Sequence, residues 1–120
     1  MKAVILAGGR GSRLVPITNS TPKPMISLLN RPLLEYLLAH LHSHGFDEIF
    51  LTMFHLSDSI VNYFGVAPQG KVSLTYAIEN SPLGTAGGVK ALEDNLKNTF
   101  VVCNGDIYTD LDLTEVLRFH

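Results

Sequence analysis

The 120-residue chain has a single cysteine, little charge and no long apolar run, and each scarcity excludes something. Cys103 alone cannot form an intramolecular disulfide, and its place in an apolar run fits a buried thiol in a reducing compartment, so a cytoplasmic setting is expected. Charged residues make up 17% of the chain and the net charge is −2, which leaves no basic field for nucleic acid and argues against a disordered tail. No stretch is long and apolar enough to span a membrane. Met1-Lys2 leads into only five apolar residues before glycine, too few for a signal-peptide core. What remains is 46% hydrophobic content, enough for one domain, residues 1–120, with a sizeable core.

That core begins at once. Ala3-Val4-Ile5-Leu6-Ala7 has the length and β-branched content of a buried parallel strand. It breaks into a glycine-rich loop in which Gly8, Gly9 and Gly11 offer backbone able to take positive φ and to let a ligand approach, while Arg10, Arg13 and Lys23 place positive charge around it. An anion is the expected guest. Two familiar phosphate loops fail on spacing: a dinucleotide fingerprint needs glycine where Leu14 stands, and a P-loop needs a Gly-Lys pair that is missing. Pro16, Pro22 and Pro24 limit any helix after the loop to about one turn, so the segment should lie over its ligand and return Lys23 toward the glycines.

The rest of the chain alternates helix and strand. Asn30 is placed to cap a helix with Pro32 in its first turn; Leu33, Leu34, Leu37, Leu38 and Leu41 form its apolar face and Gly45 ends it. Glu48 to Met53 reads as a buried strand. Leu56, Ile60 and Phe64 mark a second helix, with Ser57 as its cap and Gly65 as its stop. Val72, Leu74, Tyr76 and Ile78 alternate with smaller residues as a strand does. A third helix starts near Thr85 and carries Val89, Leu92 and Leu96; Phe100 to Cys103 is a further strand; Asp112, with Glu115, forms the capping box of a last helix. This βαβ rhythm predicts an α/β fold, a parallel sheet with helices on both faces and ligands at the carboxyl ends of its strands. His40, His42 and His44 lack the glutamate and the cysteine or carboxylate partners of a zinc site and read as solvated helix-face residues. His55 follows a strand end, within reach of a ligand.

Two further segments sit where that fold puts ligands. Glu79-Asn80-Ser81-Pro82-Leu83-Gly84-Thr85-Ala86-Gly87-Gly88 leaves a strand and enters a helix, so its compact residues and free amides lie at a rim where a flat base can pack. Asn104-Gly105-Asp106 follows the Phe100 to Cys103 strand. An ionised carboxylate there repels phosphate unless a cation lies between them, a need that magnesium meets.

The order Leu6-Ala7-Gly8-Gly9-Arg10-Gly11-Ser12-Arg13-Leu14, then Pro16, Thr18 and Pro22-Lys23-Pro24-Met25, resembles the signature of the sugar-1-phosphate nucleotidylyltransferases. The resemblance covers essentially the whole chain but only the amino-terminal, nucleotide-binding half of the family's catalytic domain. It implies a Rossmann-like three-layer α/β/α domain with a mostly parallel sheet, truncated here. It also implies attack of a sugar 1-phosphate on the α-phosphate of a nucleoside triphosphate, giving nucleotide-sugar and pyrophosphate. Carried over by position, Leu6, Ala7, Gly8, Gly9, Gly11 and Ser12 would cradle nucleotide, Arg13 and Lys23 would hold the triphosphate, and Glu79, Gly84 and Thr85 would face the base. Asp106 would hold Mg2+. Gly87 and Gly88 would permit close packing. The attacking phosphate is largely ionised at neutral pH, so the lack of a Ser-His-Asp or Cys-His arrangement is no obstacle.

An ionised Glu79 can accept together from the two adjacent donors of guanine, which favours GTP; the Pro82 to Gly88 run resembles the guanylyltransferase branch, which favours mannose 1-phosphate. The competing readings are a dTTP- or UTP-dependent glucose-1-phosphate enzyme, a non-catalytic nucleotide-binding or regulatory module, and a Rossmann-type NAD oxidoreductase. The last is opposed by the missing third glycine. An uncovered sheet edge would promote homo-oligomers.

Overall fold

Ala3, Val4 and Ile5 have no exposed surface, because β1 (Lys2–Leu6) runs through the middle of a sheet with a strand on either side and helices above and below. The computed structural model describes residues 1–9, 14–54 and 56–120, without the side chain of Gln69. β1 pairs in parallel with β4 (Glu48–Met53) on one edge and with β6 (Phe100–Asn104) on the other, in registers that set Leu6 beside both Thr52 and Asn104. β5 (Ser73–Ile78) adds to the far side of β4, giving the order β5-β4-β1-β6. The chain therefore steps outward from β1 through β4 to β5, then crosses back over to β6.

This reversal explains the layers. Parallel strands are joined by right-handed crossovers, so the outward and returning connections lie on opposite faces of the sheet. The core divides accordingly. Ala3 and Ile5 of β1 pack with α1 (Leu33–Ser43), α2 (Ser57–Phe64) and Leu113 of α4 (Leu113–Phe119) through Leu34, Leu38, Leu41, Ile60 and Phe64. Val4 faces the other way and meets Phe50 and Leu92, with Val89 of α3 (Gly84–Lys90) against them. The fold is the expected α/β arrangement with a parallel sheet between helices. No helix among the described residues is long and apolar enough to cross a membrane.

Local chemistry moved several expected boundaries. Asn30 does not cap α1. It forms, with Leu29, the two-residue loop of a small hairpin between β2 (Ser27–Leu28) and β3 (Arg31–Pro32), at φ of 65° and 50°, the paired positive values such tight loops require. Pro32 takes the N-cap position instead, and the first helical amide, Leu33 N–H, is satisfied by the Ile26 carbonyl at 3.0 Å. Ser57 is likewise the first residue of α2 and not its cap; Leu56, at φ 55°, holds that position. α3 stops at Lys90, short of the expected Leu96, since three of its seven residues are glycine and propagate a helix poorly; a 3-10 turn at Glu93–Asn95 carries Leu92 into the core. Only half of the capping box forms: Asp112 Oδ1 accepts from the Thr114 and Glu115 amides, while the Glu115 side chain pairs with Arg118. The bond from the Glu115 amide is the main reason that the Asp112 carboxyl is held below its usual range.

The histidines are not simply solvated. His40 Nε2 meets the Leu111 carbonyl at 2.9 Å, His42 Nδ1 meets Asp47 Oδ1 at 2.9 Å, and His44 Nδ1 meets the His40 carbonyl at 3.0 Å. The first two tie the end of α1 to the segments around it, and the third closes its last turn. The described residues contain no group of three or more His, Cys, Asp or Glu that could hold a metal.

Cys103 lies on β6 opposite Ile5, and burial pushes its thiol up to about 11. The unfolded thiol ionises near 9.0, so its contribution to stability is whole below that pH and disappears as pH rises through about 11. Urea melts should show stability falling between those values. The Cys103→Ala variant should fall less, by on the order of 2 kcal/mol; superimposable pH profiles would contradict the assignment.

Candidate functional site

A cleft of about 470 Å³ opens at the carboxyl ends of the strands, within the size range of small-molecule sites. Every strand of the main sheet contributes: Leu6, Ala7, Gly8 and Gly9 from β1 and its extension, Thr52 and Phe54 from β4, Glu79 after β5, and Asn104 and Asp106 from β6. The position follows from the strand order. The chain runs outward from β1 through β4 to β5 and crosses back to β6, and the carboxyl ends beside such a reversal are where open parallel sheets bind ligands.

The first wall is the end of β1. Ala7 N–H donates to the Thr52 carbonyl at 2.9 Å, so the chain stays in the sheet until the glycines. Neither Gly8 nor Gly9 has positive φ, contrary to expectation. Their use is the missing side chain: a Cβ on Gly9 would meet nothing within 4 Å, and one on Gly8 would stand in ordinary contact with Phe54. The backbone there lies open to the cleft. Gly11, Ser12 and Arg13, expected in the same loop, lie outside the described residues, as does His55.

The second wall is brought back by prolines. Lys23–Met25 forms a single 3-10 turn with Pro22 before it, and no α-helix occurs among the described residues between β1 and α1. Pro24 is buried against the site floor at Gly105, where a Cβ would stand 3.1 Å from Pro24 Cγ, 3.2 Å from Ile5 Cγ2 and 3.4 Å from Ala7 Cβ. Gly105 N–H donates to the Leu6 carbonyl at 2.9 Å, which locks the turn after β6 to the end of β1. The close approach puts the Lys23 ammonium 3.3 Å from Asp106 Oδ2. Both groups are partly open to the cleft, so the pair is worth more as a way of aiming the ammonium than as stabilisation.

The third wall is the segment after β5. Gly84 starts α3 at φ 71°, a value that favours glycine, and Thr85 follows it on the rim. Glu79 Oε2 accepts from Leu83 N–H at 3.0 Å. Among the described lining residues, Lys23 is the one cation, against the two carboxylates of Glu79 and Asp106.

The cleft thus collects every described residue expected to bind nucleotide, Leu6, Ala7, Gly8, Gly9, Lys23, Glu79, Gly84 and Thr85, together with Asp106, expected to hold the metal. Thr52 and Phe54 were not foreseen. A threonine near the end of an otherwise apolar strand, Glu48 to Met53, was the available signal for the first; Phe54 carried none. Asp106 offers a hard oxygen donor and, among the described residues, belongs to no group of three or more His, Cys, Asp or Glu that could hold a metal. That fits magnesium in its usual phosphate-bound mode, one or two carboxylates with phosphate oxygens and water, and does not fit an all-protein cage.

A parallel α/β domain with a glycine-lined, lysine-bearing cleft at a strand reversal defines a nucleotide-binding class of protein. A model of the nucleotidyl transferase family matches residues 2–120, and the chain belongs to that family. It is 41% identical over 132 aligned residues to a UTP--glucose-1-phosphate uridylyltransferase of Synechocystis sp., covering 100% of this chain and 34% of the relative. It is 36% identical to a D-glycero-alpha-D-manno-heptose 1-phosphate guanylyltransferase of Aneurinibacillus thermoaerophilus, covering 100% of this chain and 52% of the relative. Among solved structures, HddC from Yersinia pseudotuberculosis complexed with GMP-PN superimposes with a TM-score of 0.88 at 33% identity, over 98% of this chain and 53% of that one. The chain spans between about a third and about half of the length of these proteins.

Gly105 should tolerate no side chain, since its neighbours are a rigid ring and a fully buried isoleucine. Gly105→Ala is expected to cost about 1 to 3 kcal/mol in a urea melt. A variant as stable as the parent would mean that the Lys23 turn is not held by this contact.

Proposed function

We propose that the chain forms the nucleotide-binding part of a sugar-1-phosphate nucleotidylyltransferase, which transfers a nucleotidyl group from a nucleoside triphosphate to a sugar 1-phosphate and releases pyrophosphate. One observation carries the reading. A single cleft joins the β1 loop, Lys23, Asp106 and the Glu79 to Thr85 segment, which are the parts that triphosphate and base require.

In the proposed reaction a phosphate oxygen of the sugar 1-phosphate bonds to the α-phosphorus, and the bond from that phosphorus to the bridging oxygen of pyrophosphate breaks. No proton need be removed from the nucleophile. The work of the protein is then alignment and charge stabilisation. Backbone at Gly8 and Gly9 lies alongside the phosphates, and Lys23 offsets the charge that grows on the α-phosphate. Arg13 is assigned the same role from its place in the sequence pattern. Asp106 would hold Mg2+ against the phosphates; when bound, that ion supplies further neutralisation. Such a site sits in the cytoplasm on this reading, where a lone thiol stays reduced.

For the base we favour guanine, read by Glu79, and for the sugar mannose 1-phosphate. The likeness to a structure complexed with GMP-PN supports guanine, whereas the Synechocystis relative is named for UTP and glucose 1-phosphate. Uracil offers Glu79 one ring donor flanked by carbonyl oxygens, guanine two adjacent donors. The choice therefore rests on a single carboxylate.

Calorimetric titration tests the reading on the chain itself, which should bind triphosphate weakly and show no transfer. Lys23→Ala should weaken triphosphate binding about tenfold, and Asp106→Asn should weaken binding of the magnesium complex more than that of metal-free nucleotide. Glu79→Gln should shift the preference from GTP toward UTP by roughly 1 to 2 kcal/mol. Triphosphates that give no heat, or a Lys23→Ala variant that binds as the parent does, would refute the proposal.

A further inference from the structure

Glu79 is the one base-side group whose charge is fixed by side-chain chemistry, so where its carboxylate sits matters more than its presence. It leaves the end of β5 with its amide donating to the Met53 carbonyl at 2.7 Å, which fixes the backbone. The carboxylate is then held by what surrounds it. Leu83 N–H donates to Oε2 at 3.0 Å from the loop that precedes α3. Oε1 lies against α3 at Gly88, so closely that a Cβ on that residue would stand 2.8 Å from it. The same Cβ would be 3.3 Å from Thr52 Oγ1 and 3.4 Å from Thr52 Cβ. Gly88 is buried, and Thr52, 2% exposed, stands on a strand paired along both edges.

We propose that Gly88 is a positioning residue for base selection: its missing side chain leaves the space against Thr52 that Oε1 of Glu79 occupies, and so sets how the carboxylate faces the cleft. The proposal rests on the reading of Glu79 as the base-reading group. Gly88 itself touches no substrate. Helix propensity gives no reason for glycine at this place, since alanine would favour α3, and no positive φ requires it. Gly87, its neighbour, has a different explanation: a Cβ there would meet the Leu83 side chain at 2.8 Å, an apolar contact and not the carboxylate itself. The helix therefore uses adjacent glycines for separate purposes, one to seat the loop and one to seat the acid.

The consequence is specific. A methyl group at Gly88 cannot be met by movement of Thr52, which is locked between β1 and β5, so the mobile partner is the Glu79 carboxylate. Pushed from its seat, it loses the Leu83 N–H or turns its oxygens off the plane of a bound base. Phosphate contacts on the opposite wall are untouched. Base discrimination should fall while affinity for the phosphates holds, a division that general loosening of the helix would not produce.

The test uses the chain with GTP, UTP and inorganic tripolyphosphate as titrants, each followed by calorimetry. Gly88→Ala should reduce the ratio of GTP to UTP affinity about tenfold and leave tripolyphosphate affinity within twofold of the parent. Combining it with Glu79→Asp, whose shorter side chain withdraws the carboxylate from the new methyl group, should recover the melting temperature lost by Gly88→Ala alone. If Glu79→Gln changes the base ratio and Gly88→Ala does not, Gly88 has no positioning role and the inference is overturned while the reading of Glu79 stands. If neither changes it, both fall. Should Gly88→Ala prove too unstable to titrate, the double variant decides: restored melting supports a clash with the carboxylate, and unrelieved instability rules it out.

Discussion

The site depends on β1 being paired on both edges. A strand at the border of a sheet can present its carboxyl end to a ligand with neighbours on one side only; β1 is flanked by β4 and β6, both parallel to it and in register at Leu6. The glycines that follow are thereby flanked by strand ends that supply Thr52 to one side and Asn104, Gly105 and Asp106 to the other. Without the crossover that returns the chain from β5 to β6, Asp106 could not approach Lys23. The chemistry of the cleft is thus a property of strand order before it is a property of any side chain.

Close backbone packing carries that arrangement into atomic distances. Gly105 admits the Pro24 ring to the floor of the cleft, and Gly88 admits the Glu79 carboxylate to its wall. In each case a charged side chain of the cleft, Lys23 or Glu79, owes its placement to a glycine elsewhere in the chain. The two kinds of contact differ in softness. A proline ring against buried aliphatic groups can yield only by moving backbone, whereas a carboxylate can swing on its own stem, so the first governs stability and the second governs orientation.

Much of this was legible in the residues. The strands announced themselves by apolar runs, the helices by the spacing of large apolar residues, and the turn at Lys23 by its flanking prolines, all of which are local signals. The expected site residues that are described meet in one cleft for the same reason: each stands directly after a strand, and strand ends gather in a parallel sheet. What was misjudged depended on geometry that sequence carries weakly. Asn30 is as good a residue for a tight hairpin loop as for a helix cap, and only the pairing of Leu28 with Arg31 decides between them. The histidines on α1 looked free because their partners, Asp47 and the Leu111 carbonyl, come from loops whose approach no periodicity records. Of the two uses expected for Gly8 and Gly9, positive φ and room for a ligand, the described backbone shows no positive φ and keeps the room.

The contact between Lys23 and Asp106 joins residues 83 positions apart in the chain. This has a bearing on biosynthesis. A chain emerging amino terminus first can pair β1 with β4 and lay down α1 and α2 while the other edge of β1, whose Ala3, Val4 and Ile5 have no exposed surface in the finished fold, is still bare. Such an exposed border invites pairing with another chain until β6 arrives. Because the contacts that close it are distant in sequence, they form late and carry a large loop-closure cost. The nascent protein therefore has its period of greatest vulnerability to aggregation just before its cleft exists, and nothing that binds in the cleft can protect it then.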